Sequence, residues 1–335
     1  MIPRNINEDR FYTEKITYNT LMSRTREFFP DRFKGKVAIV TGGTAGIGRS
    51  IAYELLREGA KVTITGRRQA VGDATIAAFK EEGLEDCLYL AGDMANEEFC
   101  QKIVDETVAK FGKVDLLVNN AFNMMSRTCS AVTTEDWYEC FFGGPVNYAR
   151  MIRNCAVEMK KVGGGSIVNI SSISGHIAQP QFFTYNVMKG AVGMMTKSAA
   201  LEYVRDNIRI NQVSPAHTWT ERMTRRFEHE LSDEEYESIK FTGQNHMLNR
   251  GGECVEVAAP TLFLLSDDAS YITGTEFLAD GGFIAMGSQG GIDMPRRDER
   301  LYEEKYWIPG NGWGSTMHKK PVEHYPELFG EHLEK

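Results

Sequence analysis

Long apolar runs are missing from this chain of 335 residues, and no stretch approaches the roughly 20 residues that a transmembrane helix needs. The amino terminus, MIPRNINEDRFYTEKITYN, also lacks the apolar segment of a signal peptide. A basic excess is missing as well: the formal net charge is −8, whereas a nucleic-acid surface needs a basic patch. These absences predict a cytoplasmic protein that binds neither membranes nor nucleic acids.

Paired cysteines are a further absence. The six cysteines are scattered and no two form a CxxC pair, which predicts buried free thiols and disfavours disulfides or a zinc site. No metal is therefore expected. With 42% hydrophobic and 25% charged residues, the chain has the composition of an ordinary globular protein that buries a sizeable core.

What the chain does contain is an alternation of short apolar runs and amphipathic segments. KVAIVTGG, KVTITGR, CLYLAGD, VDLLVNN and GSIVNISS have the form of buried strands, and segments such as EFCQKIVDETVAKFG have that of helices. Such alternation is typical of an α/β protein with a doubly wound parallel sheet that helices cover on both faces. It continues without a linker from 33 to 286, which predicts a single domain flanked by extensions at 1–32 and 287–335.

The loop TGGTAGIG lies between the first predicted strand and the first predicted helix. Gly42 permits a tight turn, Gly46 lets the backbone approach a pyrophosphate, and Gly48 lets the helix pack against the strand. The amino terminus of the following helix favours negative charge. In this position a glycine-rich loop predicts dinucleotide binding rather than a plain connection.

Further segments follow in a fixed order: LLVNNA, NISS ending at Ser172, YNVMK with Tyr185 and Lys189, NQVSPAHTWT, and YITGTEFLADGG. Together with the glycine loop they resemble the short-chain dehydrogenase/reductase (SDR) family across 33–286. The resemblance implies a Rossmann-type fold, a nicotinamide cofactor, and catalysis by Ser172, Tyr185 and Lys189. Phe122 departs from the pattern, because the family carries glycine after Asn-Asn-Ala.

The chemistry of the triad can be argued from its residues. Tyr185 and Lys189 are four residues apart, so a helix places them on one face, one turn from each other. A free tyrosine has a pKa of about 10, and a lysine cation about 4 Å away contributes on the order of 4 kcal/mol toward lowering it. Tyr185 can then donate and accept a proton while Ser172 hydrogen-bonds the substrate oxygen, beside a hydride carrier.

One residue of the family pattern is missing. The resemblance places the asparagine of a catalytic tetrad at position 144, where this chain has glycine within Gly143-Gly144-Pro145. Glycine and proline disfavour a helix interior, so this stretch predicts a kink made by the backbone. Two consequences stay open. A freed carbonyl or Asn147 can take over the asparagine's part in holding a water that leads to the lysine, or the missing side chain can make room for substrate.

Cofactor preference is argued from the end of the second strand. TITGRR places Gly66, Arg67 and Arg68 where NAD-preferring relatives carry an acidic residue, and an arginine there can pair with a 2′-phosphate. NADP(H) is therefore expected over NAD(H), with a solvated surface position as the alternative for Arg68. The expected cofactor residues are Gly42, Thr44, Gly46, Ile47, Gly48, Arg67, Arg68, Asp93, Met94, Asn120, Ala121, Tyr185, Lys189, Pro215, Thr218 and Thr220.

The substrate is expected beyond the carboxyl ends of the strands. Candidate lining residues are Phe122, Asn123, Met124, His176, Phe182, Phe183, His217 and Trp219, with a packing role as the alternative for His176. Their aromatic content favours a cyclic or aromatic-derived ketone. The charged segment 221–250 has the form of a helical lid and lacks the basic cluster that an acyl-CoA would need. The resemblance also implies a homotetramer or homodimer, to which the aromatic-rich segment after 287 is expected to add interface.

Three functions stay open on the sequence alone. The intact triad favours an NADPH-dependent enzyme that interconverts a ketone and a secondary alcohol, on a cyclic, steroid-like or polyphenol-derived ketone. The second is an enoyl reductase of the same fold. The third is a non-catalytic NADP(H)-binding regulatory protein, which only Gly144 supports. Retention of Ser172, Tyr185 and Lys189 weighs against the second and the third.

Overall fold

A computed structural model of the chain describes residues 28–220, 245–248 and 250–286. These residues belong to two compact units, one with 28–220 and 252–279 and the other with 245–248, 250–251 and 280–286. Most of the predicted extensions and of the predicted lid lies outside the described residues. None of the described helices combines the length and the apolarity that crossing a bilayer requires.

Strands form at the apolar runs that the sequence predicts. They are β1 (Val37–Val40), β2 (Lys61–Gly66), β3 (Cys87–Ala91), β4 (Leu116–Asn119), β5 (Gly165–Ile170), β6 (Ile208–Pro215), β7 (Thr218–Trp219), β8 (Gly252–Glu253) and β9 (Glu276–Ala279). One seven-stranded parallel sheet has the order β3-β2-β1-β4-β5-β6-β9, and β7 pairs with β8. Because the sheet grows outward from β1 in both directions, the predicted doubly wound α/β topology is confirmed.

Helices occupy most of the connections between these strands. They are α1 (Gly46–Arg57), α2 (Gln69–Glu81), α3 (Glu97–Phe111), α4 (Thr134–Phe141), α5 (Asn147–Lys161), α6 (Phe183–Tyr203) and α7 (Cys254–Leu265). A capping box between Thr133 and Asp136 starts α4. A π-helical segment, Phe142–Val146, joins α4 to α5 at the predicted kink.

Successive strand residues enter two different cores. In β4, Val118 belongs to the cluster that contains Leu55 of α1, whereas Leu117 belongs to the cluster that contains Ile103 of α3 and Met151 of α5. Side chains alternate between the faces of a strand, so helices cover both faces of the sheet.

The cysteines follow the prediction in part. All six lie in the described ranges and are free thiols, of which Cys100, Cys140 and Cys155 are buried. The expectation of burial is wrong for three: Cys87 and Cys254 are half-buried and Cys129 is exposed. Cys87 begins an edge strand of the sheet, and Cys129 lies in the loop before α4.

Candidate active site

The glycine loop folds back against the end of β4. Asn120 Nδ2 donates hydrogen bonds to Thr41 O (2.9 Å) and Gly42 O (3.2 Å). A Cβ at Gly42 would lie 2.9 Å from this nitrogen, and a Cβ at Gly48 would lie 2.4 Å from it. Gly42 also has a φ of +67°, which side chains disfavour. The close approach of loop, helix and strand therefore requires glycine at both positions.

The amino terminus of α1 suits a phosphate group. Its N-cap is Ala45, which has no side-chain oxygen to cap the helix, and its first turn from Gly46 to Arg49 contains a cation and no acid. Half-buried Ile47 belongs to the same turn. The N–H groups of a first turn and the helix dipole favour an anion there. This donor set fits the pyrophosphate of a dinucleotide.

Two exposed arginines follow β2 beside the glycine loop. Arg67 and Arg68 come after Gly66, where a Cβ would lie 2.7 Å from Thr44 Oγ1. The hydroxyl of Tyr89 donates to Gly66 O (3.1 Å) and to Arg68 O (3.0 Å), which fixes this turn. The end of β2 therefore presents cations and no carboxylate.

The remaining predicted cofactor residues lie at the same edge of the sheet, because the carboxyl ends of parallel strands meet there. They are Asp93 and Met94 after β3, Asn120 and Ala121 after β4, Pro215 at the end of β6, and Thr218 and Thr220 at and after β7. Asp93 Oδ1 accepts the N–H of Ala95 (2.9 Å). Within the described ranges, no group of three or more His, Cys, Asp or Glu side chains is arranged to hold a metal ion.

Helix α6 carries Tyr185 and Lys189 on successive turns, and the loop after β5 packs on it. Ser171 Oγ donates to Lys189 O (3.2 Å). A Cβ at Gly175 would lie 3.0 Å from the same carbonyl oxygen, so this loop requires glycine to approach the helix. Ser172, which lies between these two contacts, is 7% exposed. The three residues of the predicted triad therefore come from one packed junction of strand, loop and helix.

The Lys189 side chain is buried, with 1% of the residue exposed. Its Nζ donates to Ile170 O (2.9 Å) and lies 4.2 Å from the centroid of the Phe122 ring and 5.7 Å from that of Tyr185. Burial lowers the pKa of Lys189 to about 7. From the sequence alone, Lys189 is expected to be fully protonated. With its lowered pKa, the neutral amine and the ammonium are instead both populated near neutral pH.

A second tyrosine shares an acceptor with the lysine. Tyr148 of α5 is fully buried, and its hydroxyl donates to Ile170 O (3.2 Å), the carbonyl that also accepts from Lys189. Burial raises the pKa of Tyr148, and the nearby Tyr185 raises it further. Tyr148 is therefore a neutral donor beneath the site. Nothing in the sequence pattern distinguishes it from an ordinary core residue of α5.

The hydroxyl of Ser172 is oriented by its neighbours. It donates to Ser174 Oγ (3.1 Å) and accepts the N–H of Ser174 (3.1 Å), and Ser174 Oγ donates to Gln179 Oε1 (2.5 Å). An amide oxygen only accepts, so the hydroxyl protons point from Ser172 toward Gln179. The Ser172 hydroxyl is thus held by Ser174 both as a donor and as an acceptor.

Comparison with known proteins identifies the family. A family model described as Enoyl-(Acyl carrier protein) reductase matches residues 42–284. The chain is 38% identical to an NADP-dependent (R)-specific alcohol dehydrogenase of Lentilactobacillus kefiri, over 76% of this chain and 99% of that protein. It is 35% identical to a dehydrogenase/reductase SDR family member 4 of Caenorhabditis elegans, over 76% and 97%. It is 32% identical to a glucose and ribitol dehydrogenase homolog of Oryza sativa subsp. japonica, over 77% and 88%.

The chain belongs to the SDR family. It is therefore an oxidoreductase that acts on CH–OH groups with a nicotinamide cofactor. The glycine loop and the amino terminus of α1 are built as such a cofactor requires.

In this SDR the helix is broken at position 144. Gly144 has φ −129° and ψ −109°, outside the helical range, and Pro145 has no N–H to donate. Gly143 O accepts the N–H of Asn123 (3.2 Å), and Gly144 O accepts the N–H of Asn147. The predicted kink is confirmed, and protein N–H groups bind the carbonyls of both glycines.

The chain itself fills the space of the missing asparagine side chain. A Cβ at Gly144 would lie 2.5 Å from Sδ of Met188, a fully buried residue next to Lys189. The expectation that glycine at 144 makes room for substrate is therefore wrong. A Cβ at Gly143 would lie 2.5 Å from Asn123 Nδ2. Each glycine accommodates a different side chain.

Asn147, the alternative residue for the asparagine's part, is fully buried. Its Nδ2 donates to Ala121 O (3.3 Å). This bond ties the first turn of α5 to the segment after β4, which also carries Phe122. Asn147 therefore has a structural contact to the cofactor side of the site.

Two of the predicted substrate residues flank the Tyr185 ring. The ring centroids of Phe122 and Phe182 lie 5.7 Å and 6.1 Å from that of Tyr185. His176 Nε2 instead forms a 2.7 Å hydrogen bond with Glu276 Oε1 of β9, which fits the packing alternative. Two others have contacts away from the Tyr185 ring: Asn123 Nδ2 donates to Glu139 Oε2 (3.4 Å), and Trp219 is 2% exposed within β7.

Proposed function

We propose that this enzyme interconverts a ketone and a secondary alcohol with NADP(H), with Tyr185 as the proton donor and acceptor. The observation that carries the proposal is the buried Lys189 amino group, whose Nζ lies 5.7 Å from the Tyr185 ring centroid on the same helix face. A cation at this distance in a buried site favours the phenolate over the phenol. That preference is what an acid and base working near neutral pH requires.

The roles of the three residues follow from their donors and acceptors. A bound nicotinamide supplies the hydride for reduction or takes it in oxidation. In reduction, Tyr185 gives its hydroxyl proton to the substrate oxygen, and Lys189 stabilises the phenolate that remains. In oxidation, the phenolate takes the single hydroxyl proton of the alcohol, and the Ser172 hydroxyl, which can rotate away from Ser174 Oγ, donates a hydrogen bond to the substrate oxygen.

The deciding experiment follows NADPH oxidation across a ketone panel for wild type and for Tyr185→Phe. Loss of turnover in the variant, with NADPH affinity retained, is the expected result, because phenylalanine keeps the ring and removes the proton. Turnover that survives in Tyr185→Phe contradicts the assignment. Tight NADPH binding without turnover on any ketone or alcohol contradicts the proposed reaction.

The preference for NADP(H) is supported by Arg67 and Arg68, which are exposed after β2 without a neighbouring carboxylate on that strand end. A relative from Lentilactobacillus kefiri also carries NADP in its name. Arg67→Ala should raise the Kd for NADPH by about 10- to 100-fold, as expected for a charge-assisted hydrogen bond, and leave NADH binding nearly unchanged. Arg205→Ala, an exposed arginine after α6, is the matched control.

The proposed substrate is a cyclic or aromatic-derived ketone, such as a steroid-like or polyphenol-derived one. Support comes from the Phe122 and Phe182 rings, whose centroids lie 5.7 Å and 6.1 Å from that of the Tyr185 ring. Flat apolar groups pack well against aromatic faces. A panel that pairs cyclohexanone and aryl ketones with open-chain ketones of equal carbon number tests this, and equal kcat/KM for both classes contradicts it.

Reduction of a carbon–carbon double bond is the second candidate, because the matching family model is described as an enoyl reductase. One cyclic enone separates the two reactions. Carbonyl reduction gives an allylic alcohol and double-bond reduction gives a saturated ketone, so product analysis by mass and NMR decides between them.

Self-association is proposed through the exposed face of α6. Val187, Met194 and Leu201 are spaced seven residues apart and are 43%, 64% and 78% exposed. An apolar stripe of this kind is typical of a buried contact between copies. Met194→Lys combined with Leu201→Lys should lower the mass found by light scattering.

The free thiols support the proposed cytoplasmic location.

A further inference from the structure

The Phe122 ring covers the charged end of Lys189. Nζ lies 4.2 Å from the ring centroid, well inside the roughly 6 Å over which an aromatic face attracts a cation. We propose that Phe122 is a positioning residue that holds Lys189 in its ammonium form, so that the charge needed beside Tyr185 persists in a buried site. This inference rests on the proposed catalytic role of Lys189.

Few groups compensate the charge of this lysine. One of its three N–H donors binds Ile170 O at 2.9 Å, and that carbonyl is shared with the hydroxyl of Tyr148. The titratable groups that face Lys189 are Tyr185 on its own helix and Tyr148 on α5, and both are phenols. Among the described residues, no carboxylate pairs with Nζ. The rings of Phe122 and Tyr185 are therefore the further sources of stabilisation, and Phe122 is the nearer at 4.2 Å against 5.7 Å.

Two effects of opposite sign act on the ammonium. Burial disfavours it and lowers the pKa of Lys189. The negative face of the ring and the Ile170 carbonyl favour it. Because a cation–π contact strengthens when water is excluded, removal of the ring should lower the pKa by about one unit.

The Phe122 ring lies close to both catalytic side chains. Its ring centroid is 5.7 Å from that of Tyr185 at a tilt of 40°. Asn147, bonded to Ala121 O, fixes the backbone immediately before it. A glycine, which the family carries here, has no ring to offer, so the contact belongs to this residue rather than to the family segment.

The test titrates Lys189 directly in the full chain without cofactor or substrate. Lysine is labelled with 13C at Cε, and the Lys189 signal is assigned by its loss in Lys189→Met. Phe122→Leu should lower the pKa of Lys189 by about one unit, and Phe122→Tyr should leave it near the wild-type value. Phe182→Leu is the matched control, because Phe182 contacts the Tyr185 ring and has no cation–π contact with Lys189.

An unchanged titration in Phe122→Leu, or an equal shift in Phe182→Leu, overturns the proposal. If Phe122→Leu does not fold, fluorinated phenylalanines incorporated at 122 preserve the shape and weaken the ring's negative face. A pKa that falls stepwise with fluorination supports the proposal, and a constant pKa overturns it.

Turnover gives a second readout. In Phe122→Leu, the loss of ketone reduction on the alkaline side should begin about one pH unit lower than in wild type. The two proposals fail separately. Full turnover in Tyr185→Phe removes the proposed function and leaves the Lys189 titration standing, while an unshifted Lys189 removes only the role of Phe122.

Discussion

Burial of Lys189 costs stability, and its replacement should recover part of that cost. Lys189→Met keeps the length of the side chain and removes the buried charge. The Ile170 carbonyl keeps the Tyr148 hydroxyl as a donor (3.2 Å), so the substitution leaves no buried acceptor unpaired. We therefore expect a variant that is inactive and more stable than wild type near neutral pH.

The magnitude follows from the pKa. Burial lowers the pKa of Lys189 from 10.5 to about 7, which at about 1.4 kcal/mol per pKa unit corresponds to about 5 kcal/mol. Relaxation around the charge and the loss of the cation–π contact reduce the expected gain to about 2 kcal/mol. For a chain of 335 residues, with an unfolding entropy of about 2.1 cal/mol/K per residue, that raises Tm by about 3 °C.

The gain must depend on pH with a definite sign. Because the folded-state pKa is below the unfolded one, the unfolded chain binds more protons between about 7 and 10.5. The destabilisation by Lys189 is therefore complete below about pH 7 and disappears toward 10.5. Urea unfolding at about pH 6.5 and about pH 9.5 should show a large gain for Lys189→Met at the first pH and a small one at the second.

Lys197→Met is the matched control, because Lys197 is an exposed residue of the same helix. It should change the free energy of unfolding little at either pH. A Lys189→Met variant that is no more stable than wild type near pH 6.5, or whose gain is the same at both pH values, would refute the argument from burial.

Three further substitutions test contacts at the site and in the sheet that carries it. Gly144→Asn should lower the free energy of unfolding by about 1–3 kcal/mol, because its Cβ would lie 2.5 Å from Met188 Sδ. Adding Met188→Ala should recover much of this loss in urea titrations. A double variant that is no more stable than Gly144→Asn contradicts the packing argument. Ser174→Ala should lower kcat about tenfold with KM nearly unchanged, because the Ser172 hydroxyl loses the partner that orients it. An unchanged kcat at an unchanged melting temperature contradicts this orienting role of Ser174. Asp115→Ala should destabilise the fold by about 2–3 kcal/mol, because the Val37 N–H (2.7 Å) loses its carboxylate acceptor. A loss under about 0.5 kcal/mol in urea titrations contradicts this role of the buried hydrogen bond.

Sequence patterns predict the parts of this site that depend on local spacing. A separation of four positions puts Tyr185 and Lys189 on one helix face wherever the helix lies. Glycines between a strand and a helix predict the close approach seen at Gly42 and Gly48. The kink at Gly144 and Pro145 is also local, because the residues that break the helix are the residues that form it.

Contacts between distant segments are what the sequence does not reveal. Phe122 follows β4 and Lys189 lies in α6, and only the parallel arrangement of β4, β5 and their connections brings the ring onto the ammonium. The same holds for Met188 against Gly144. The lowered pKa of Lys189 depends on burial from several elements at once, so a spacing argument alone treats the lysine as if it were solvated.

The two departures from the family pattern, Phe122 and Gly144, each bring an apolar side chain into the site. Met188 fills the space that a side chain at 144 would take, Phe122 covers Nζ of Lys189, and Tyr148 shares the Ile170 carbonyl with it. The groups recorded next to the Lys189 amino group are thus an aromatic ring and a carbonyl shared with a neutral phenol. Restoring asparagine at 144 alone changes only one of these surroundings and collides with Met188. The informative comparison for proton transfer is therefore Gly144→Asn combined with Met188→Ala against wild type, because only in this double variant does an asparagine side chain at 144 have room.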